Sequence, residues 1–120
     1  MMKIKDFAAL CDCSIYTLRY YDQIDLLKPK MVNEHSGYRY YTEDQIHSFT
    51  RIKTFQEIGF SVTEIKEMND LSNYEIVKCI IKKIKYYQEQ LDKTITILDQ
   101  YIERSKESEK DSISMGGTRK

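Results

Sequence analysis

The chain has 120 residues, 41% apolar and 32% charged, which is room for one small domain with an extension but not for two full domains. Its 19 basic and 19 acidic side chains cancel, which excludes a polycation that coats nucleic acid indiscriminately but not a binder with its cations on one face. No apolar run approaches the roughly 20 residues of a membrane span, and no signal peptide precedes the first helix, so a cytoplasmic protein without a membrane partner is expected.

Ile4, Phe7, Ala8 and Cys11 share one phase and predict a first helix over about Lys5–Cys11, closed by a turn at Asp12 and Cys13. Cys11 reads as a small core hydrophobe, and Cys13 as a compact plug between two helices. Ser14 is a good N-cap for a second helix running to Ile24, because its hydroxyl can accept from a first-turn amide. Ile15, Leu18, Tyr21 and Ile24 form its apolar stripe. Its other face carries Tyr16, Thr17, Arg19 and Tyr20, a set of cation, hydroxyl and phenol suited to phosphates and base edges. Two short helices in this order are what a helix-turn-helix module needs.

Pro29 breaks any helix through Lys28–Asn33, which reads as a short strand. A polar turn over Asn33–Gly37 and a return strand Tyr38-Arg39-Tyr40-Tyr41 complete a hairpin wing. Alternation puts Tyr38 and Tyr40 on one face and Arg39 and Tyr41 on the other, and a two-stranded wing cannot bury both faces. Thr42-Glu43-Asp44-Gln45 looks like a second capped start, and Ile46, Phe49, Ile52 and Phe55 carry that helix to Ile58, where Gly59 stops it. Ser61-Val62-Thr63-Glu64 fits a capping box opening a short helix to Met68.

After the polar break Asn69–Asn73, a helix without Gly or Pro is predicted from about Glu75 to Glu107. Val77, Ile84, Leu91 and Leu98 recur every seventh residue. Ile80, Tyr87, Thr94 and Tyr101 hold the companion positions, and Ile81, Ile95 and Ile102 widen the stripe. Such a helix is too apolar on one face to stand alone in water, and pairing with a second copy accounts for it best. Lys78, Lys82, Lys83 and Lys85 lie mostly off the seam and read as a solvated face. The polar stretch Ser108–Lys120, with Gly116 and Gly117, reads as a disordered tail.

Four ordered blocks carry a family resemblance: Thr17–Asp22, then Leu26–Pro29, then Gly37–Tyr41, then Glu57–Ser61 with Glu64-Ile65. Across roughly the first 70 residues the chain closely resembles the MerR family of bacterial transcription regulators. The resemblance implies a mainly α fold with a small β-hairpin wing, a winged helix-turn-helix domain followed by a long coiled-coil helix. The expected division is residues 1–72 for DNA binding, 73–107 for an antiparallel dimerisation helix, and 108–120 for the tail. It further implies DNA contacts from Thr17, Arg19 and Tyr20, wing contacts from Tyr38 and Arg39, and a weaker second-wing contact from Lys53. Where Tyr16 stands the family commonly has a basic residue. At Asp12 and Asp25 relatives usually carry Gly, which points to left-handed backbone there, a conformation Asp tolerates better than most residues. The expected dimer seam is Val77, Ile80, Ile84, Tyr87, Leu91, Ile95, Leu98 and Ile102.

The expected function is a homodimeric transcription regulator. It would bind a pseudo-palindromic site in double-stranded promoter DNA and distort it so that RNA polymerase engages both promoter elements. The alternatives are an architectural, excisionase-like DNA-binding factor and the front part of a longer multidrug-sensing regulator. A coiled-coil module that had lost DNA binding should also have lost Arg19 and Arg39, which are present. No catalytic set is visible, and neither cofactor nor metal is expected. Metal-sensing relatives place a thiolate near Cys79, but the segment after Glu107 carries no Cys or His to complete such a site, so Cys79 reads as an interfacial residue.

Overall fold

The computed structural model describes residues 1–114. Their elements in chain order are β1 (Met2–Lys3), α1 (Ile4–Cys11), α2 (Ile15–Gln23), β2 (Met31–Val32), β3 (Arg39–Tyr41), α3 (Asp44–Glu57), α4 (Val62–Met68) and α5 (Asn73–Ser114). They divide into two units, Met1–Leu71 and a second beginning at Ser72.

In the first unit α1 packs against α2 and α3, and α3 packs against α4. Phe7, Leu18, Tyr41 and Ile65 are fully buried, and Tyr21, Phe49, Ile52, Phe55 and Met68 close around them. Phe7 and Tyr41 stack with centroids 4.4 Å apart, which joins α1 to the wing. Burial pushes the Tyr41 phenol up to about 12, and its hydroxyl has no hydrogen-bond partner among the described residues. Phe55 meets Phe60 edge-on at 5.6 Å, pinning the turn after α3.

Two left-handed residues flank α2. Asp12 has φ 56° at the end of α1, and Asp25 has φ 60° after α2. At the first turn the Cys13 amide donates to the Ala8 carbonyl, and at the second the Leu26 amide donates to that of Tyr21. Both positions take the conformation that their replacement of Gly implies.

The wing is a three-stranded antiparallel sheet in the order β1-β3-β2 rather than a two-stranded hairpin. Met2 pairs with Tyr41 and Lys3 with Tyr40, while Met31 pairs with Tyr40 and Val32 with Arg39. Asn33 braces the wing tip, its side-chain oxygen accepting the amides of His35 and Ser36 at 2.9 Å each. Gly37 supplies the positive φ of 75° that the return requires.

Of the expected caps, Ser61–Glu64 forms a full capping box. The start of α3 differs: no Thr42 side-chain cap forms, and instead Gln45 Oε1 accepts the Thr42 amide at 3.1 Å. The same amide side chain donates to the Lys28 carbonyl through Nε2, so Gln45 is committed to tying α3 to the loop before β2. A further capping box at Ser72 and Glu75 opens α5.

The second unit is α5. Its 42 residues rise about 63 Å. Val77, Ile84, Tyr87, Leu91, Ile95, Leu98 and Ile102 are all exposed on it, and Ile80 is half-buried. The helix passes Glu107, its expected end, and continues to Ser114. Residues 108–114 contain neither Gly nor Pro, and adding a turn to an existing helix is far cheaper than starting one. The rest of the expected tail, 115–120, lies outside the described residues.

Candidate nucleic-acid interface

The sorting of α2 into two faces starts at its cap. Ser14 Oγ accepts the Thr17 amide at 3.0 Å and lies 3.0 Å from Thr17 Oγ1, so the half-buried Thr17 hydroxyl belongs to the cap as well as to the helix surface. Leu18 and Tyr21 point into the core, where the Tyr21 hydroxyl donates to Gln56 Oε1 at 3.2 Å. That bond and the Tyr21–Phe49 ring contact fix the helix's rotation. Tyr16, 79% exposed, is therefore turned outward together with Arg19 and Tyr20.

Asp22 binds this helix to the wing. Its Oδ2 accepts from Arg39 Nε at 2.9 Å and its Oδ1 from Lys28 Nζ at 2.9 Å, while Lys28 also reaches Asp25 Oδ1 at 2.9 Å. Burial alone would raise the Asp22 carboxyl, but hydrogen bonds and charge from Lys28 and Arg39 outweigh it and hold its pKa below the ordinary value. Arg39 thus has a structural duty besides any contact with a ligand. A guanidinium carries five N–H donors, so the bond to Asp22 does not exhaust it.

The first unit has a cleft of about 200 Å³ lined by Lys3, Ile4, Lys5, Arg19, Gly37, Tyr38 and Arg39. It brings together Arg19, Tyr38 and Arg39, three residues that the sequence assigns to DNA. Lys53 is elsewhere, in a groove lined by Leu10, Cys11, Asp12 and Phe49 among others. Pattern reading missed Lys3, Lys5, Lys28 and the binding role of Asp22. A two-residue strand leaves no periodicity to detect, and an ion pair spanning 17 positions has no local signal.

The thiols by this module are not activated. Burial, helped by neighbouring Cys13, pushes Cys11 up to about 11. Burial also raises Cys13, with Lys53 opposing and Asp12 assisting. Both stay protonated near neutral pH, where a thiol is a poor nucleophile and ligand. Among the described residues no group of three or more His, Cys, Asp or Glu is placed to hold a metal ion. No helix there is long and apolar enough to cross a membrane.

The sequence pattern of the MerR HTH family regulatory proteins matches residues 2–71, more than half of the chain. The chain belongs to that family. The Multidrug-efflux transporter 1 regulator of Bacillus subtilis (strain 168) is 34% identical over 110 residues, covering 87% of this chain and 40% of that protein. The chain thus spans less than half the length of that relative. Among solved structures, the N-terminus of the B. subtilis multidrug transporter activator MtaN superposes with a TM-score of 0.75 at 30% identity, covering 88% of this chain and 97% of that one. EcmrR, from a cryo-EM structure of an EcmrR–DNA complex in EcmrR-RPo, gives 0.68 at 30% identity, covering 88% of this chain and 40% of that one. The winged helix-turn-helix fold followed by a long helix agrees with these MerR-type structures.

Proposed function

We propose that this MerR-family chain is a homodimeric, sequence-specific DNA-binding transcription regulator. The observation that carries the reading is the outward face of α2: Tyr16, Arg19 and Tyr20 exposed beside a wing that presents Tyr38. The α2 helix would enter the major groove, with Arg19 and Tyr20 meeting bases and phosphates and Tyr38 and Arg39 holding the backbone from the wing. Thr17 would contribute from the capped first turn. The relative captured with DNA supports this assignment.

The exposed stripe from Val77 to Ile102 on α5 supports pairing of two copies. Two recognition helices would then address the halves of a pseudo-palindromic site, with half-site spacing set by the dimer. Regulation would come from distorting the promoter between its elements so that RNA polymerase can engage both.

Selection of duplexes from a randomised pool by the full chain, followed by fluorescence anisotropy on the enriched duplex, tests the reading. Arg19→Ala should weaken binding about tenfold or more, since one good base contact is worth roughly 1–3 kcal/mol, while sedimentation velocity still finds a dimer. Failure of any duplex to enrich, or unchanged affinity in Arg19→Ala, contradicts it.

A further inference from the structure

We infer that Lys3 and Lys5 form a phosphate-binding edge of the DNA interface contributed by the N-terminal strand and the first turn of α1, an inference that rests on the DNA-binding reading above. The backbone pairing of Lys3 with Tyr40 places the N-terminal segment alongside the wing. There the Lys3 ammonium sits 4.8 Å from the centroid of the Tyr38 ring. That contact holds a long, flexible side chain beside the wing and leaves its charge in place, because an aromatic face attracts a cation without neutralising it. Lys5, in the first turn of α1, lines the same cleft as Arg19, Tyr38 and Arg39.

The charge pattern there is one-sided. The lining of the cleft holds four cations and no carboxylate, although the whole chain has as many acids as bases. Arg39 spends one donor on Asp22, which leaves Lys3, Lys5 and Arg19 as the cations in the cleft without an ion-pair partner among the described residues. A concentration of positive charge beside a base-reading helix suits the phosphodiester backbone, which attracts cations whatever the sequence. Lys3 and Lys5 therefore supply affinity and register, and Arg19 supplies discrimination.

The test uses the full chain and the duplex enriched by it, with a scrambled duplex of the same length for comparison. Lys3→Ala combined with Lys5→Ala should weaken binding to both duplexes by a similar factor, leaving their ratio unchanged. Its affinity should also fall less steeply with salt: the loss between about 50 and 200 mM salt should be roughly tenfold smaller than in the parent, as expected for two phosphate contacts removed. Lys3→Arg combined with Lys5→Arg should restore the parental salt dependence. Circular dichroism checks that the helices remain, and since the Lys3 pairing is through its backbone, a side-chain change leaves it in place. A parental salt dependence in the double alanine variant, with Arg19→Ala still weakening binding, overturns the lysine edge and leaves the DNA reading standing. A parent that binds no duplex removes both.

Discussion

The two units of this chain treat apolar surface in opposite ways. In the first, Phe7, Leu18, Tyr41 and Ile65 are fully buried by their own neighbours. In the second, Val77, Ile84, Leu91 and Leu98 recur every seventh residue and each keeps about half of its surface exposed. At roughly 25 cal/mol per Å², leaving such a stripe in water is a recurring cost along the whole helix, which the proposed pairing with a second copy would remove. Under the proposed function the difference separates two tasks: the first unit, with its own core, would be the reading head, and the second, with its exposed stripe, would be the pairing helix.

Substitutions on either side of that division sharpen it. The largest expected effect is on the head core. Phe7→Ala removes a fully buried ring and its stack on Tyr41, at a cost of about 3–5 kcal/mol. Its thermal unfolding should lose the head transition while sedimentation still reports the paired helix. Loss of the pairing as well would mean that the two units are not separable tasks.

Next is the Asp22 hub. Asp22→Asn should destabilise the head by about 1–2 kcal/mol, since a partly buried carboxylate loses two charge-assisted bonds. Because its folded pKa lies below the ordinary value of 3.8, the parent holds this advantage in full above that pH. The advantage fades as pH falls through the folded value, so the parent and variant should converge in acid. Denaturant unfolding at pH 7 and pH 3 measures this, and a constant gap would remove the hub's ionic role.

The smallest effect has the opposite sign. Tyr41→Phe deletes a buried hydroxyl that has no partner among the described residues and keeps the ring against Phe7. It should stabilise the head by about 1 kcal/mol, because the desolvation cost of an unsatisfied polar atom disappears. A higher thermal midpoint is the expected result, and a lower one would show that the hydroxyl has a use.

Much of this was legible because it is local or periodic. The Ser14 cap, the Leu18 and Tyr21 stripe, the Ser61–Glu64 capping box and the left-handed Asp12 and Asp25 each leave a mark within a few residues. The three-stranded sheet was not legible, because Met2 and Lys3 become a strand only by pairing with residues far along the chain. Similarly, Arg39 reads as a pure DNA contact until Asp22, 17 positions earlier, is found at 2.9 Å. The start of α3 failed for a subtler reason: Thr42 has the right hydroxyl, but the Gln45 side chain reaches back to cap its amide. Long-range pairing decided the sheet and the Arg39 contact, and at α3 a neighbouring side chain took the role assigned to Thr42.

The division between reading head and pairing helix is tested most directly by Leu91→Glu, near the middle of α5. A carboxylate there would have to be buried in the seam, a penalty on the order of 3–5 kcal/mol, while the first unit contains none of the changed residue's neighbours in sequence. Sedimentation velocity and a gel shift on the enriched duplex, run on the same preparation, give the two readouts. The account predicts a monomer with an intact head transition and no tight binding to the full site. A monomer that binds the full site as tightly as the parent would contradict it.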